Sequence, residues 1–101
     1  MAKGYFIVTE DIKDQDGMNA YSGKAVPTIL QSGGKLIIVE RNAEVLEGTW
    51  HGTQTLVVEF DSVDAARAWY NSDAYQAVIG ERHAAADSNA VIVGGFEMPA
   101  S

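Results

Sequence analysis

Six side chains carry the chemistry that this sequence could perform: Tyr21, Trp50, His51, Glu59, Tyr75 and Arg82. Glu59 interrupts the apolar run Thr55-Leu56-Val57-Val58-Glu59-Phe60 and shares a strand face with Val57 and Thr55. A carboxylate held there away from water has a raised pKa and is suited to proton transfer. His51, next to Trp50, titrates where a general base must. Glu59 and His51 are therefore the candidate catalytic residues. Tyr21, Trp50 and Tyr75 could line an apolar pocket with hydroxyl and indole handles, the usual build of a small-molecule site. Arg82 could hold a substrate carboxylate by a bidentate contact. Each has a plain structural role beside the functional one. His51 could be an exposed loop residue. Glu59 could be neutralised by Arg82, Arg67 or a tyrosine hydroxyl, because a buried charge needs a partner. Arg82 could pair with Glu59 or Asp87. The aromatics, Trp69 and Tyr70 above all, could simply build the core.

Other chemistries find no support in the spacing. The two histidines, His51 and His83, are far apart and form no His-x-x-x-His pattern, so no metal site is expected. His83 could be an axial haem ligand only on the same thin grounds. At the end of a helix it is already favoured as a cation by the helix dipole. Cysteine is absent, which excludes disulfides, thiolate nucleophiles and iron–sulfur or zinc–thiolate centres. Gly33-Gly34 and Gly94-Gly95 lack the lysine and spacing of a phosphate loop. No Ser–His–Asp order can be assembled. No cofactor is expected.

Fourteen acidic residues against seven basic ones give a formal charge of −7. Nucleic-acid binding needs a cationic surface, so nucleic acid is not an expected partner, and neither is an anionic membrane. The acidity reads as solubility. Tyr5-Phe6-Ile7-Val8 is too short for a signal-peptide core, and no apolar run is long enough to span a bilayer. The default expectation is a cytoplasmic protein.

These side chains must be placed by a single domain, since 101 residues leave no room for two cores. The domain is residues 1–101, with a core of about 3–97. Tyr5–Glu10 reads as a strand. Met18, Tyr21, Ala25 and Ile29 recur at helical steps, with Pro27 expected to kink or end the helix and Gly33 to serve as its left-handed C′ residue. Lys35–Arg41 and Thr53–Phe60 are the next strands. A second helix is capped by Asp61 or Ser62, and its apolar stripe is Val63, Ala66, Trp69 and Tyr70. Ser72 or Asp73 caps a short further helix, about Ala74–His83. That helix could run on through Ala84–Ala86 before Asp87-Ser88-Asn89 ends it. Ala90–Phe96 is the last strand, and Met98–Ser101 a frayed tail.

The order is βαββαβ, an α+β ferredoxin-like arrangement: a four-stranded antiparallel sheet with the first and third strands central and both helices on one face. A sheet with one wet face alternates apolar and polar residues. Here Tyr5-Phe6-Ile7-Val8, Leu36-Ile37-Ile38-Val39, Leu56-Val57-Val58 and Val91-Ile92-Val93 are apolar on both sides. The second face therefore needs a cover, and the simplest is a second copy packed sheet to sheet. The partner expected from the residues is thus a homodimer through the sheet face.

The sequence also resembles the domain-of-unknown-function 1330 (DUF1330) family of the dimeric α+β barrel superfamily, from about Lys3 to Phe96. The resemblance is carried by Gly4-Tyr5-Phe6, Tyr21, Gly33-Gly34, Glu44–Trp50, Glu59-Phe60 with Ser62, and Ala65–Tyr70, completed by Ser72, Tyr75-Gln76 and Arg82. It implies a ferredoxin-like subunit and a dimer, and it implies no activity. Similar barrels serve antibiotic-biosynthesis monooxygenases, muconolactone isomerases and haem-dependent chlorite dismutases, so the fold does not choose the chemistry. Two functions stand as expectations. One is a homodimer binding an apolar or aromatic acidic small molecule between sheet and helices, with cofactor-independent proton transfer or monooxygenase-like chemistry if it is an enzyme. The other is a non-catalytic interaction module whose aromatics build only the core and the dimer interface.

Overall fold

The computed structural model describes residues 2–99. The frayed tail expected at Met98–Ser101 falls partly outside them. The strands are β1 (Gly4–Ile12), β2 (Lys35–Glu40), β3 (Gln54–Phe60) and β4 (Ala86–Gly94). The helices are α1 (Gln15–Gln31), α2 (Val63–Tyr70), α3 (Asp73–Gln76) and α4 (Ile79–Ala85). The strands form one antiparallel sheet in the order β2-β3-β1-β4, so the first and third strands are central as expected.

Helix boundaries follow local chemistry. Asp14, Ser62 and Ser72 each accept a hydrogen bond from a backbone N–H three residues on, capping α1, α2 and α3. At the end of α1, Gly33 has φ +79° and donates to Leu30 O, while Gly34 donates to Ile29 O. These two bonds make a Schellman motif, which requires the left-handed residue that glycine supplies.

Three local expectations need correction. Pro27 does not end its helix, because α1 continues through it to Gln31. Pro27 and Gly23, whose carbonyl loses its donor, are both exposed, and a helix carbonyl open to solvent tolerates that loss. The expected helix over 74–83 is two pieces, α3 and α4, separated at Ala77-Val78. Finally, Asp87-Ser88-Asn89 does not end a helix. It belongs to β4, pairing with Asp11, Glu10 and Thr9 of β1. Polar residues that read as a turn are held extended by a strand already in place.

Pairing register sorts the sheet into two faces. Phe6, Val8 and Glu10 of β1 stand with Leu56, Val58 and Gln54 of β3 on the inner face. The core lies there, with Trp69 in edge contact with Phe6 at 5.0 Å and tilted against Phe60 and Tyr75. The outer face carries Tyr5, Ile7, Thr9, Thr55, Val57 and Glu59, with Ile38 on β2 and Val91 and Val93 on β4. No helix covers it, and Ile38 and Val91 are 45% and 52% exposed. The molecule is accordingly thin, 15 Å along its shortest axis. The 41–53 connection leaves Val45, Leu46 and Trp50 exposed as well.

Candidate functional site

On the inner face, strand alternation carries Glu10 past Phe6 and Val8 to a place beneath α1, opposite Gln54. Gln54 Nε2 donates to Glu10 Oε1 at 2.9 Å. Gly52 makes this approach possible: it sits at φ +84° against the backbone of Glu10, where a Cβ would collide, and Thr53 N then donates to Glu10 O at 2.7 Å. Burial pushes the Glu10 carboxyl above the usual glutamate range, opposed by the Gln54 hydrogen bond and by the charge of Arg82. Ser88 lies opposite Glu10 on the β4 side, and its Oγ is buried without a hydrogen-bond partner among the described residues.

Above this row the helices contribute a second polar group. Tyr21 of α1 and Tyr75 of α3 meet hydroxyl to hydroxyl at 2.6 Å, and Arg82 Nε of α4 donates to the Tyr75 hydroxyl at 3.3 Å. Burial, then Tyr75, raises the Tyr21 pKa, while Arg82 pulls it the other way. For Arg82 itself burial works against the charge, but Tyr75 and Tyr21 outweigh that and raise its pKa. The guanidinium therefore stays ionised inside the protein.

Glu10 and Tyr21 line a cavity of about 30 Å³ whose other walls include Phe6, Val8, Met18 and Trp69. A groove of about 180 Å³ runs outside it between α1 and β2, sharing Met18, Ser22, Val26, Leu36, Gln54 and Leu56 as walls. Arg41 stands on that groove. The groove thus carries a cation, and the small cavity behind the shared walls carries a carboxyl, an amide and a phenol. Such an arrangement can bind an apolar molecule by its body and exchange a proton at its tip.

The six residues singled out from sequence do not form one site. Tyr21, Tyr75 and Arg82 come together between sheet and helices. Glu59, His51 and Trp50 lie on the opposite face of the sheet. There Glu59 Oε2 accepts from Tyr5 Oη at 3.3 Å, His51 Nδ1 lies 2.7 Å from Thr9 Oγ1, and Trp50 Nε1 donates to Thr55 Oγ1 at 2.9 Å. The reason is the pleat: Val57, Thr55 and Glu59 share a face, and the helices cover the other one. Arg82 takes neither Glu59 nor Asp87 as a partner but the Tyr75 hydroxyl. Trp69 is core, 1% exposed, with its indole N–H on Thr28 Oγ1 at 3.0 Å. Sequence reasoning missed Glu10, Gln54, Ser88 and Arg41. For the first two the signal was present, since period-two counting from Phe6 and from Phe60 lands on them.

Among the described residues no group of three or more histidines and carboxylates is arranged to hold a metal ion. No helix among them is long and apolar enough to cross a membrane.

Solved structures similar to this chain share its fold at low identity. A protein of unknown function from Rhodopseudomonas palustris is 17% identical with a TM-score of 0.79, over 96% of this chain and 85% of that one. SnoaB, a cofactor-independent oxygenase from Streptomyces nogalater, is 8% identical with a TM-score of 0.69, over 97% of each chain. A dimeric protein of unknown function with a ferredoxin-like fold from Bacteroides fragilis is 15% identical with a TM-score of 0.62, over 93% of this chain and 96% of that one. No curated protein matches the chain. The ferredoxin-like architecture is thus shared widely, and the family is fixed by the sequence itself: the model of the domain of unknown function DUF1330 matches residues 3–96, and the chain belongs to that family.

Proposed function

We propose that this protein is a homodimer whose subunits each bind an apolar or aromatic acidic small molecule in the channel between α1 and β2, and that Glu10 exchanges a proton with it. The observation that carries this reading is the Glu10–Gln54 pair facing a cavity otherwise walled by Phe6, Val8, Met18 and Trp69. A buried carboxyl with a raised pKa, at the end of an apolar channel, is the pattern of an acid–base group. Arg41 on the groove supplies the counter-charge for an acidic ligand. Arg82, expected for that task, is 2% exposed and committed to Tyr75. Both proton transfer and cofactor-independent oxygenation begin with removal of a substrate proton, and Glu10 is the carboxylate placed for that step. A cytoplasmic address belongs to the same reading.

The dimer is supported by the bare outer face and by the dimeric state of the Bacteroides fragilis neighbour. Two such faces packed together would bury Ile38, Val91 and Val93, and would enclose Glu59, His51 and Trp50 near the interface. Those three residues then serve assembly in this reading.

A thermal-shift titration with 2-naphthoate tests the pocket, because a ligand that binds only the folded form must stabilise it. The wild-type protein should rise in Tm with ligand concentration, and Arg41→Ala should need about tenfold more ligand for the same rise, the loss of one charge-assisted contact. If no aromatic acid raises the Tm of a well-folded protein, the aromatics build a core and an interface only, and the interaction-module reading takes over.

A further inference from the structure

We infer that Tyr21 is a hydrogen-bond donor into the cavity and that the molecule accepted there is an enolisable carbonyl compound, its carbonyl oxygen on Tyr21 and its acidic C–H on Glu10. This rests on the pocket proposed above and names its substrate class.

The direction of the hydrogen-bond chain carries the inference. Arginine has donors only, so the Arg82–Tyr75 bond fixes the Tyr75 oxygen as an acceptor. Tyr75 is 0% exposed, and its hydroxyl has two partners in the structure, Arg82 Nε and the Tyr21 hydroxyl. We take its own proton to go to Tyr21, because Tyr75, at 0% exposed against 9% for Tyr21, has no other acceptor for it among the described residues and does not line the cavity. Tyr21 therefore accepts from Tyr75, and its proton is left to point elsewhere. Tyr21, unlike Tyr75, lines the cavity. The same cavity is lined by Glu10, whose Oε1 is held by Gln54. A donor fixed in direction and a carboxylate oxygen thus face one small space.

The chemistry that uses both is enolisation. The C–H bond next to the carbonyl breaks, and its proton goes to Glu10 Oε2. The electron pair of that bond forms a C=C bond, while the carbonyl π pair moves to oxygen. The resulting oxyanion takes a stronger hydrogen bond from Tyr21, which Arg82 supports through Tyr75. Returning the proton from Glu10 to the same carbon completes an exchange, and returning it to the far carbon of an enolate conjugated with a second C=C bond completes an isomerisation, with no co-reactant. A cavity of about 30 Å³ admits only one edge of the substrate, and its body would lie in the groove of about 180 Å³.

The probe is 2-tetralone in deuterated buffer, with loss of its C1 proton signal followed by NMR. The wild-type protein should accelerate exchange. Glu10→Gln, which keeps the amide contact to Gln54, should abolish the acceleration. Tyr21→Phe should slow it about 100-fold, the usual loss for one oxyanion donor, and should act on kcat more than on KM. Binding of 2-naphthol, a stable enol mimic, should weaken about tenfold in Tyr21→Phe. Circular dichroism of both variants checks that they fold. If 2-tetralone raises the Tm but exchanges no faster with the wild type than with Glu10→Gln, this inference is wrong and the pocket stands. If neither compound raises the Tm, the pocket reading fails with it.

Discussion

Glu10 and Gln54 are cross-strand partners on the inner face of the sheet, joined by a 2.9 Å hydrogen bond from the amide to the carboxyl beneath α1. That relationship puts an ionisable group at the end of an apolar row on both strands, after Phe6 and Val8 on β1 and before Leu56 and Val58 on β3. Its consequence for stability has a definite sign. Burial raises the pKa of Glu10 in the folded protein, so between the usual glutamate value and the raised one the folded state binds more protons than the unfolded chain. Glu10's contribution is thus most favourable below the usual glutamate pKa and is lost as pH rises through the raised value. Urea midpoints measured upward from pH 4 should show a decline in the wild type that Glu10→Gln removes. An identical pH profile for the two proteins would place the titration elsewhere.

Tyr21→Phe tests the hydroxyl pair from the stability side. It deletes the acceptor for the Tyr75 proton without opening a cavity larger than one oxygen. Leaving that donor unsatisfied inside the protein should cost about 1–3 kcal/mol. Tyr75→Phe removes the partner of Arg82 as well and should cost at least as much, since a buried charged donor is then uncompensated. Urea denaturation of both variants, against Tyr70→Phe as a control outside this chain, measures the difference.

Trp69 anchors the inner core. It packs on Phe6, Phe60 and Tyr75 and hydrogen-bonds Thr28, itself one residue beyond Pro27. Trp69→Ala should cost about 3–5 kcal/mol, the range for emptying a buried tryptophan site. Pro27→Ala should act in the opposite direction. It restores one helical hydrogen bond at an exposed position, against a small entropic gain for the unfolded chain. A net stabilisation of about 1–3 kcal/mol is expected by denaturation. A destabilised Pro27→Ala would mean that the proline holds Thr28 in place for Trp69.

Much of this was legible in the residues, and the rest failed for identifiable reasons. Ser62, Ser72 and Gly33 act through their nearest neighbours in sequence, and local chemistry places them correctly. The central position of β1 and β3 follows from connection handedness. Asp87-Ser88-Asn89 was misread because its strand conformation comes from pairing with β1, a contact remote in sequence. Glu59 was grouped correctly with Val57 and Thr55, but a period of two cannot say which face the helices will cover. Glu59 lies on the uncovered face, and Glu10 is the carboxylate of the covered one. Glu10 has the same spacing from Phe6 and Val8 that any buried residue of β1 has, yet its charge made it look like a strand end.

The outer face gives the last prediction. Ile38 pairs with Val57, and Val91 lies across Ile7 on the same surface, four apolar side chains without a helix above. A lysine in place of Val91 inside a sheet-to-sheet interface must give up its hydration. Val91→Lys should therefore convert a dimer into a monomer in sedimentation velocity at micromolar concentration, while Lys24→Ala on the helix side should leave the mass unchanged. In an isolated subunit the same lysine would sit in water with an effect within about 0.5 kcal/mol, as for other surface changes. Circular dichroism then separates dissociation from unfolding. A wild-type chain that sediments as a folded monomer would show that the face tolerates water, and Ile38 and Val91 would need a different partner.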